Sequence, residues 1–236
     1  MVDIRGHAED GFGAVADAFR ANFDGVELGA GFCLYVDGKN VVDLTGGYAD
    51  VERTRPYDDD SLQLVFSSTK GVAAICLAML FDQGVLDYEA NVASIWPEFG
   101  AAGKENIPIS WPLSHPAGLA TVDNPPPLEE VLKVQPVLDA LADQAPLWEL
   151  DGSHGYHAIT YGWIAAEILH RLTGVRMNAW LQEHVVTPLG AEFWMGLPEA
   201  QNHRVSPVRA AAPPTDPAAL ERILAMFAPG AMGGRA

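Results

Sequence analysis

The sequence has little positive charge, few cysteines and no long apolar run. Of its 236 residues, 14 are Lys or Arg and 31 are Asp or Glu, which gives a net charge of −17. Because such a surface repels phosphate groups and anionic lipids, we expect neither nucleic-acid nor membrane binding. The sequence contains no run of about 18 apolar residues, the length that a membrane-spanning helix needs. The first 25 residues also lack the apolar core of a signal peptide. These absences predict a soluble, cytoplasmic protein.

Candidate ligands for metals and cofactors are equally scarce. The two cysteines, Cys33 and Cys76, form neither a disulfide framework nor a metal site, and their apolar neighbours predict buried free thiols. His154 and His157 are three residues apart, but no His-Glu-x-x-His motif or third ligand accompanies them. The glycines of Gly29-Ala30-Gly31 lead into a predicted strand, so they do not form a phosphate-binding loop. We therefore expect no metal and no cofactor.

The residues that are present indicate a globular α+β protein. Hydrophobic residues make up 49% of the chain and charged residues 19%, which is typical of a domain with a substantial core. Apolar spacing predicts an opening helix over residues 7–23. Two strands, 31–36 and 40–44, are joined by Asp37-Gly38, a dipeptide typical of tight hairpin turns. Further helices are predicted over residues 72–83, 128–142, 158–172, 177–184 and 218–227.

A Ser-x-x-Lys motif opens the helix predicted over 72–83. Serine is a weak nucleophile until a neighbouring group removes its proton. Ser67 and Lys70 are three residues apart, so in a helix both side chains lie on one face and the amine can reach the hydroxyl. The free backbone N–H groups of a helix start can also stabilise an oxyanion. The alternative is a helix cap, in which a serine caps the first turn and Lys70 extends to solvent.

A tyrosine between a polar loop and a helix favours the catalytic interpretation. Tyr156 directly precedes the helix predicted over 158–172, so its side chain can point into a cleft. A phenol becomes a usable base only beside a positive charge, which Lys70 would supply. The alternative is a half-buried tyrosine with one satisfied hydroxyl, and that interpretation suits Tyr161 better.

Other serine-hydrolase signatures are missing. The string Gly-x-Ser-x-Gly does not occur. Ser114 and His115 are adjacent, but neighbouring side chains of an extended segment point apart and do not form a dyad. The sequence thus leaves Ser67, Lys70 and Tyr156 as the candidate catalytic set.

These motifs together resemble a known superfamily. Ser67-Ser68-Thr69-Lys70, Tyr156 and the segment 112–119 (Pro-Leu-Ser-His-Pro-Ala-Gly-Leu) are similar to those of serine β-lactamases and penicillin-binding proteins. Within that superfamily the chain most resembles family VIII carboxylesterases and class C β-lactamases. The resemblance implies an antiparallel sheet flanked by helices, plus a mostly helical lobe at about 85–190, in a single catalytic domain spanning 1–236.

The resemblance also implies roles for individual residues. Ser67 would be acylated, Lys70 would activate it, and Tyr156 would act as general base and acid. Trp148, in the loop before Tyr156, is expected at the wall of the substrate pocket, together with His157 and Ser68. The segment around His115 is a structural loop in that superfamily, so we assign it no catalytic role.

Two departures from the family pattern shape the expected function. Ala158 replaces an asparagine that class C enzymes use to recognise β-lactams, which favours hydrolysis of short-chain carboxylic esters through an acyl-enzyme. The alternatives are a β-lactamase, a D-peptidase or an acyltransferase on the same site. The second departure is that the sequence ends at Gly233-Gly234-Arg235-Ala236 without the usual C-terminal strands and their second oxyanion donor.

We accordingly expect a shortened member of the family. Sheet edges and apolar helix faces left uncovered would favour self-association, so we predict a homodimer or higher oligomer. The remaining alternatives are a catalytically impaired binding module and an interaction protein without a pocket, in which the order of Ser67, Lys70 and Tyr156 would be coincidence.

Overall fold

A computed structural model of the chain describes residues 2–25, 27–209 and 213–226. The backbone divides into two compact units, one within residues 1–65 and 197–211 and the other within residues 66–196 and 212–236. The helical lobe predicted at about 85–190 falls inside the second unit. The single domain over 1–236 stays a prediction.

A three-stranded antiparallel sheet forms the centre of the first unit. Its strands are β1 (Ile4–Ala8), β2 (Gly29–Val36) and β3 (Lys39–Gly47), and β3 lies in the middle. The predicted hairpin is confirmed: β2 and β3 pair antiparallel, and both turn residues have positive φ, 49° at Asp37 and 76° at Gly38. This turn twists the two strands in the direction that sheet pairing requires.

Helix α1 (Gly13–Ala21) packs its apolar side chains against this sheet. A 3₁₀ turn (Asn22–Asp24) follows the helix. Phe19 is buried in one cluster with Val42 and Leu44 of β3. The predicted opening helix was wrong at its start, because residues 7 and 8 pair with β3 as part of β1. Backbone pairing there outweighs the helical spacing of the apolar residues.

Two features complete the first unit. Two-residue strands β4 (Leu62–Gln63) and β5 (Val205–Ser206) pair in parallel. Among the described residues, no strand follows β5. Cys33 is exposed on β2, so the prediction of a buried thiol was wrong for this residue, whose strand lies at the edge of the sheet.

Two long helices form the core of the second unit. Helix α2 (Ser68–Asp82) packs against α6 (Thr160–Thr173). Cys76 and Leu77 of α2 and Ile164 of α6 have no exposed surface, as the sequence predicted for an apolar helix at Cys76. Both helices end near a glycine in the left-handed conformation, Gly84 (φ 71°) and Gly174 (φ 74°).

Shorter helices surround this pair. The single helix predicted over 128–142 is broken, because Pro136 cannot donate a backbone N–H and starts a new helix. The helix predicted over 177–184 is split between α7 (Met177–Leu181) and a π-helical turn (Gln182–Val186). The other short helices of this unit are α3 (Ser110–Ser114), α4 (Leu128–Val131), α5 (Gln135–Asp143), α8 (Thr187–Leu189) and α9 (Pro217–Met226). Turns of 3₁₀ helix cover Val92–Ser94 and Pro97–Gly100 in this unit and Glu199–Arg204 in the first unit.

The observed elements agree with the predicted α+β class. The last helix was predicted to end at residue 227, which lies outside the described residues, as does the glycine-rich end of the sequence. In the described ranges, no helix combines the length and the apolar character needed to cross a membrane.

Candidate active site

The start of α2 brings Ser67 and Lys70 together. Ser67 is the N-cap residue and Lys70 lies in the first turn, where its Nζ donates a hydrogen bond of 3.2 Å to Ser67 Oγ. The Ser67 hydroxyl makes no capping hydrogen bond, so the helix-cap alternative does not describe this serine. Ser67 is exposed and Lys70 is half-buried. Because the next turns of α2 are anchored in the core, helix geometry fixes this pair.

The residue before Ser67 has an unusual backbone. Phe66 adopts a φ of 44°, in the left-handed region that side chains with a Cβ avoid. Such a conformation costs about 1–3 kcal/mol and persists only where the surrounding structure enforces it. It turns the chain abruptly into α2 and leaves Ser67 at the surface. No residue pattern around Phe66 indicates this conformation.

Tyr156 lies beside this pair, in the loop before α6. The pKa of Tyr156 lies below its ordinary value of 10.0, because its hydroxyl hydrogen bonds with Ser67 and then with Lys70, and the Lys70 charge adds to the effect. Lys70 Nζ is also 5.0 Å from the centre of the Tyr156 ring. The structure therefore brings the three predicted catalytic side chains to one point.

Lys70 is oriented by a second acceptor. Its Nζ donates a 2.7 Å hydrogen bond to the carbonyl oxygen of Ala158, just after Tyr156. These two hydrogen bonds orient the amine between Ser67 and the loop that carries Tyr156. Because Ser67 and Lys70 both lower the pKa of Tyr156, the arrangement favours a phenolate that can accept the proton of Ser67.

The second tyrosine near Lys70 has a different environment. The Tyr161 hydroxyl donates a 3.3 Å hydrogen bond to the backbone oxygen of Lys70. Burial raises the pKa of Tyr161, with the charge of Tyr88 adding to the effect. Tyr161 thus has a satisfied hydroxyl, as the sequence suggested.

His157 holds the Tyr156 loop from inside the protein. It has no exposed surface. Its Nδ1 donates to the oxygen of Gly155 at 2.6 Å, and its Nε2 accepts the N–H of Leu119 at 3.1 Å. Desolvation lowers the pKa of His157 from 6.5 to about 4, so the ring is neutral in the physiological range. This burial leaves it no surface for the predicted contact with substrate.

Trp148 supports the same loop. An added Cβ on Gly155 would lie 2.3 Å from Cη2 of the Trp148 ring, so the indole packs directly on the Gly155 backbone. Its Nε1 donates to the oxygen of Ser153. Ser68, the other predicted pocket residue, is exposed at the first position of α2.

A cavity of about 610 Å³ opens beside Ser67 and Lys70. Trp148, His157 and Ser68 are not among its lining residues. Its wall is mostly apolar, and it includes two basic side chains, Lys133 and Arg176, that the sequence did not single out. The apolar lining includes Ala73, Val134, Ile159, Trp163, Met177 and Met195.

The described parts of the chain contain no group of three or more His, Cys, Asp or Glu side chains that could hold a metal ion. The cavity wall carries no such cluster either, because its charged residues are Lys70, Lys133 and Arg176. The chemistry available at this site comes from a hydroxyl, a phenol and an amine.

Sequence similarity agrees with the geometry. Residues 14–236 match the model of the beta-lactamase family, and the chain belongs to that family. It is 35% identical over 199 residues to the esterase/beta-lactamase LipL of Mycobacterium tuberculosis, a match that covers 84% of this chain and 46% of LipL.

Two solved structures have the same fold. One is a novel penicillin-binding protein homolog from Caulobacter crescentus, with a TM-score of 0.87 and 40% identity over 97% of this chain and 62% of that chain. The other is a family VIII carboxylesterase, with a TM-score of 0.82 and 41% identity over 86% of this chain and 57% of that chain. These similarities confirm the predicted β-lactamase-like fold. The chain spans about half to three fifths of the length of these relatives.

Proposed function

We propose that this protein is a serine hydrolase that cleaves short-chain carboxylic esters through an acyl-enzyme formed on Ser67. The observation that carries the proposal is the hydrogen-bonded group of Ser67, Lys70 and Tyr156, in which Lys70 Nζ lies 3.2 Å from Ser67 Oγ. The names of the relatives, an esterase/beta-lactamase and a carboxylesterase, support the same class of reaction.

The reaction proceeds in two acyl transfers. The Tyr156 phenolate takes the proton of Ser67 while Oγ bonds to the ester carbonyl carbon, and the carbonyl oxygen becomes an oxyanion. The backbone N–H of Ser67, at the helix start, is positioned to stabilise that charge. When the intermediate collapses, the C–O bond to the alcohol breaks and the leaving oxygen takes the proton from Tyr156.

The second transfer releases the acid. Water gives a proton to the Tyr156 phenolate and its oxygen attacks the acyl carbon. The bond to Ser67 Oγ then breaks and Oγ recovers the proton from Tyr156. Throughout both transfers, the hydrogen bonds and charge of Lys70 favour the phenolate form of Tyr156. The net reaction converts ester and water into carboxylic acid and alcohol.

Covalent labelling tests the nucleophile. A fluorophosphonate should label the wild-type chain once, and mass spectrometry of the digested adduct should place the label on Ser67. Ser67→Ala should abolish labelling, whereas Ser114→Ala, at an exposed serine outside the cavity, should retain it. Lys70→Ala should slow labelling by about 10²–10⁴-fold, the usual contribution of proton transfer. Labelling that survives Ser67→Ala would contradict the proposal.

A substrate series tests the ester assignment. Rates with p-nitrophenyl acetate, butyrate and octanoate should be highest for the short chains. The name of the relative LipL, an esterase/beta-lactamase, supports β-lactam hydrolysis as a second candidate, and nitrocefin turnover measures it. Rapid nitrocefin turnover without ester hydrolysis would replace the esterase assignment with a β-lactamase.

We also propose that the chain forms a homodimer. Apolar side chains are exposed in both units, including Phe32 and Tyr35 on β2 and Ile75 and Phe81 on α2. Exposed apolar surface of this kind favours association. Light scattering at micromolar concentration should give twice the mass of one chain, and a monomer would contradict this proposal.

A further inference from the structure

His115 makes two hydrogen bonds to the Tyr156 loop, one on each side of the tyrosine. The backbone N–H of Gly155 donates to the carbonyl oxygen of His115 at 3.1 Å. The backbone N–H of His157 donates to the Nδ1 atom of the His115 ring at 3.2 Å. One residue of a distant segment thus holds both neighbours of Tyr156.

His115 ends α3 in the conformation that permits this contact. It is the C-cap residue, with a φ of 79°, in the left-handed region that glycine adopts freely and that asparagine, aspartate and histidine adopt more often than other side chains.

The His115 ring also contacts Tyr156 itself. The two ring centres are 5.0 Å apart and the planes meet at 64°, an edge-to-face arrangement. The ring centre of His157 lies 5.4 Å from that of His115, and the two ring planes are 36° apart. Because Nδ1 accepts a hydrogen bond, the neutral ring carries its proton on Nε2. Burial and the charge of Lys70 lower the pKa of His115, which is consistent with a neutral ring.

We propose that His115 is a positioning residue, whose Nδ1 holds the backbone of the loop so that the Tyr156 hydroxyl reaches Ser67 and Lys70. The proposal rests on the proposed function, in which Tyr156 transfers the proton. It revises the expectation that the segment around His115 is only a structural loop.

Two substitutions separate the effect of the Nδ1 acceptor of His115 from the effect of its backbone conformation. In His115→Gly the left-handed conformation is free of strain and the acceptor is absent. In His115→Asn the same conformation is tolerated and the side-chain oxygen lies near the position of Nδ1. Both variants lose the aromatic contact with Tyr156, so the pair differs mainly in the hydrogen bond to His157 N–H.

Ester hydrolysis gives the first measurement. His115→Gly should lower kcat about 10–100-fold with KM within about twofold, because a displaced catalytic group lowers the rate more than binding. His115→Asn should recover kcat to within about threefold of wild type. Equal kcat for both variants, whether at the wild-type level or reduced alike, would overturn the proposal.

Titration of Tyr156 gives a second measurement that needs no turnover. The pKa of Tyr156 is obtained from the ultraviolet tyrosinate absorbance, as a difference from the same protein carrying Tyr156→Phe. The pKa should rise toward the ordinary value in His115→Gly and stay low in His115→Asn. An unchanged pKa in His115→Gly would overturn the proposal even if ester hydrolysis is found. A shifted pKa in a chain without hydrolysis would support the positioning role and contradict the proposed function.

Discussion

The two halves of the candidate site are held in different ways. Ser67 and Lys70 belong to a helix whose following turns are anchored by fully buried side chains, such as Cys76 and Leu77. Tyr156 belongs to a loop without regular structure, and polar contacts and one indole ring hold it in place. The distance between Ser67 and Lys70 follows from helix geometry, whereas the position of Tyr156 depends on contacts with distant segments.

Because of this difference, substitutions in the two halves should affect stability and activity differently. A substitution that separates Ser67 from Lys70 must first disturb α2, so it lowers stability and activity together. Substitutions around Tyr156 can displace one side chain while the core stays intact. The second group should therefore give folded proteins with low activity.

The largest effect is expected at Tyr156 itself. Tyr156→Phe removes the hydroxyl that bonds with Ser67 and Lys70, and kcat for ester hydrolysis should fall about 10²–10⁴-fold. The exposed fraction of Tyr156 is 55%, so the melting temperature should change little.

Tyr161→Phe is the matched control for this prediction. It removes a hydroxyl that bonds only to a backbone oxygen in the same region, that of Lys70, at 3.3 Å. Losing one such hydrogen bond costs about 0.5–1.5 kcal/mol of stability, and kcat should stay within about threefold. A similar fall in kcat for both tyrosine variants would show that Tyr156 has no special role.

The next effect is a pH dependence of stability that originates in the loop. The pKa of His157 is 6.5 in the unfolded chain and about 4 in the folded one. Between these values the unfolded chain binds a proton that the folded chain does not, so the free energy of unfolding falls as pH is lowered from 6.5 toward 4. The shift corresponds to about 3 kcal/mol, and the contribution is fully present above pH 6.5.

Denaturant titrations between pH 4 and pH 7 measure this dependence, with the limits set by the two pKa values. His157→Gln has no group that titrates in this range and should flatten the profile by about the same 3 kcal/mol. The pKa of His115 is also lowered, and His115 is present in both proteins, so the difference between the two profiles reports mainly on His157. Identical slopes in the two proteins would contradict the assignment to His157.

Alanine substitution of one glycine in the loop and of one glycine in α2 should change stability by smaller amounts and in opposite directions. The added methyl of Gly155→Ala would lie 2.3 Å from the Trp148 ring, so the loop or the indole must move at a cost of about 1–3 kcal/mol. In Gly71→Ala, in the interior of α2, the methyl meets nothing within 4 Å. Helix propensity should then stabilise the protein by roughly 0.5–1 kcal/mol.

Thermal unfolding and kcat should be measured on both glycine variants. We expect Gly155→Ala to lose activity and stability, and Gly71→Ala to gain stability with activity unchanged. If both variants behave alike, the distinction between a helix-held half and a loop-held half is wrong.

The same distinction explains how much of the protein could be predicted from its sequence. The hairpin at Asp37-Gly38 and the helices that carry Lys70 and Tyr161 follow from local spacing, and local geometry placed Ser67 within reach of Lys70. His157 and Trp148 were predicted to line the substrate pocket. They do contact the loop of Tyr156, but they are not among the residues that line the cavity.

The remaining features depend on tertiary contacts. Burial of His157 follows from its bonds to Gly155 and Leu119, and no local pattern indicates that pairing. The paired strand at residues 4–8 is defined by its hydrogen bonds to β3, which override helical spacing. The positive φ at Phe66 has no counterpart in residue type. The role of His115 depends on its hydrogen bonds to Gly155 and His157, which no local pattern indicates.

The smallest effect is expected one residue before His115. The Ser114 hydroxyl is exposed and donates a 2.7 Å hydrogen bond to the oxygen of Ser110 within α3, a local contact that contributes little to helix stability. Ser114→Ala should keep kcat within about twofold and change stability by less than about 0.5 kcal/mol. His115→Gly, the next position, should lower kcat at least tenfold by the argument above. If kinetics and thermal unfolding instead show a large loss in Ser114→Ala, then α3 as a whole supports the Tyr156 loop, and the effect of His115 cannot be attributed to its Nδ1 atom.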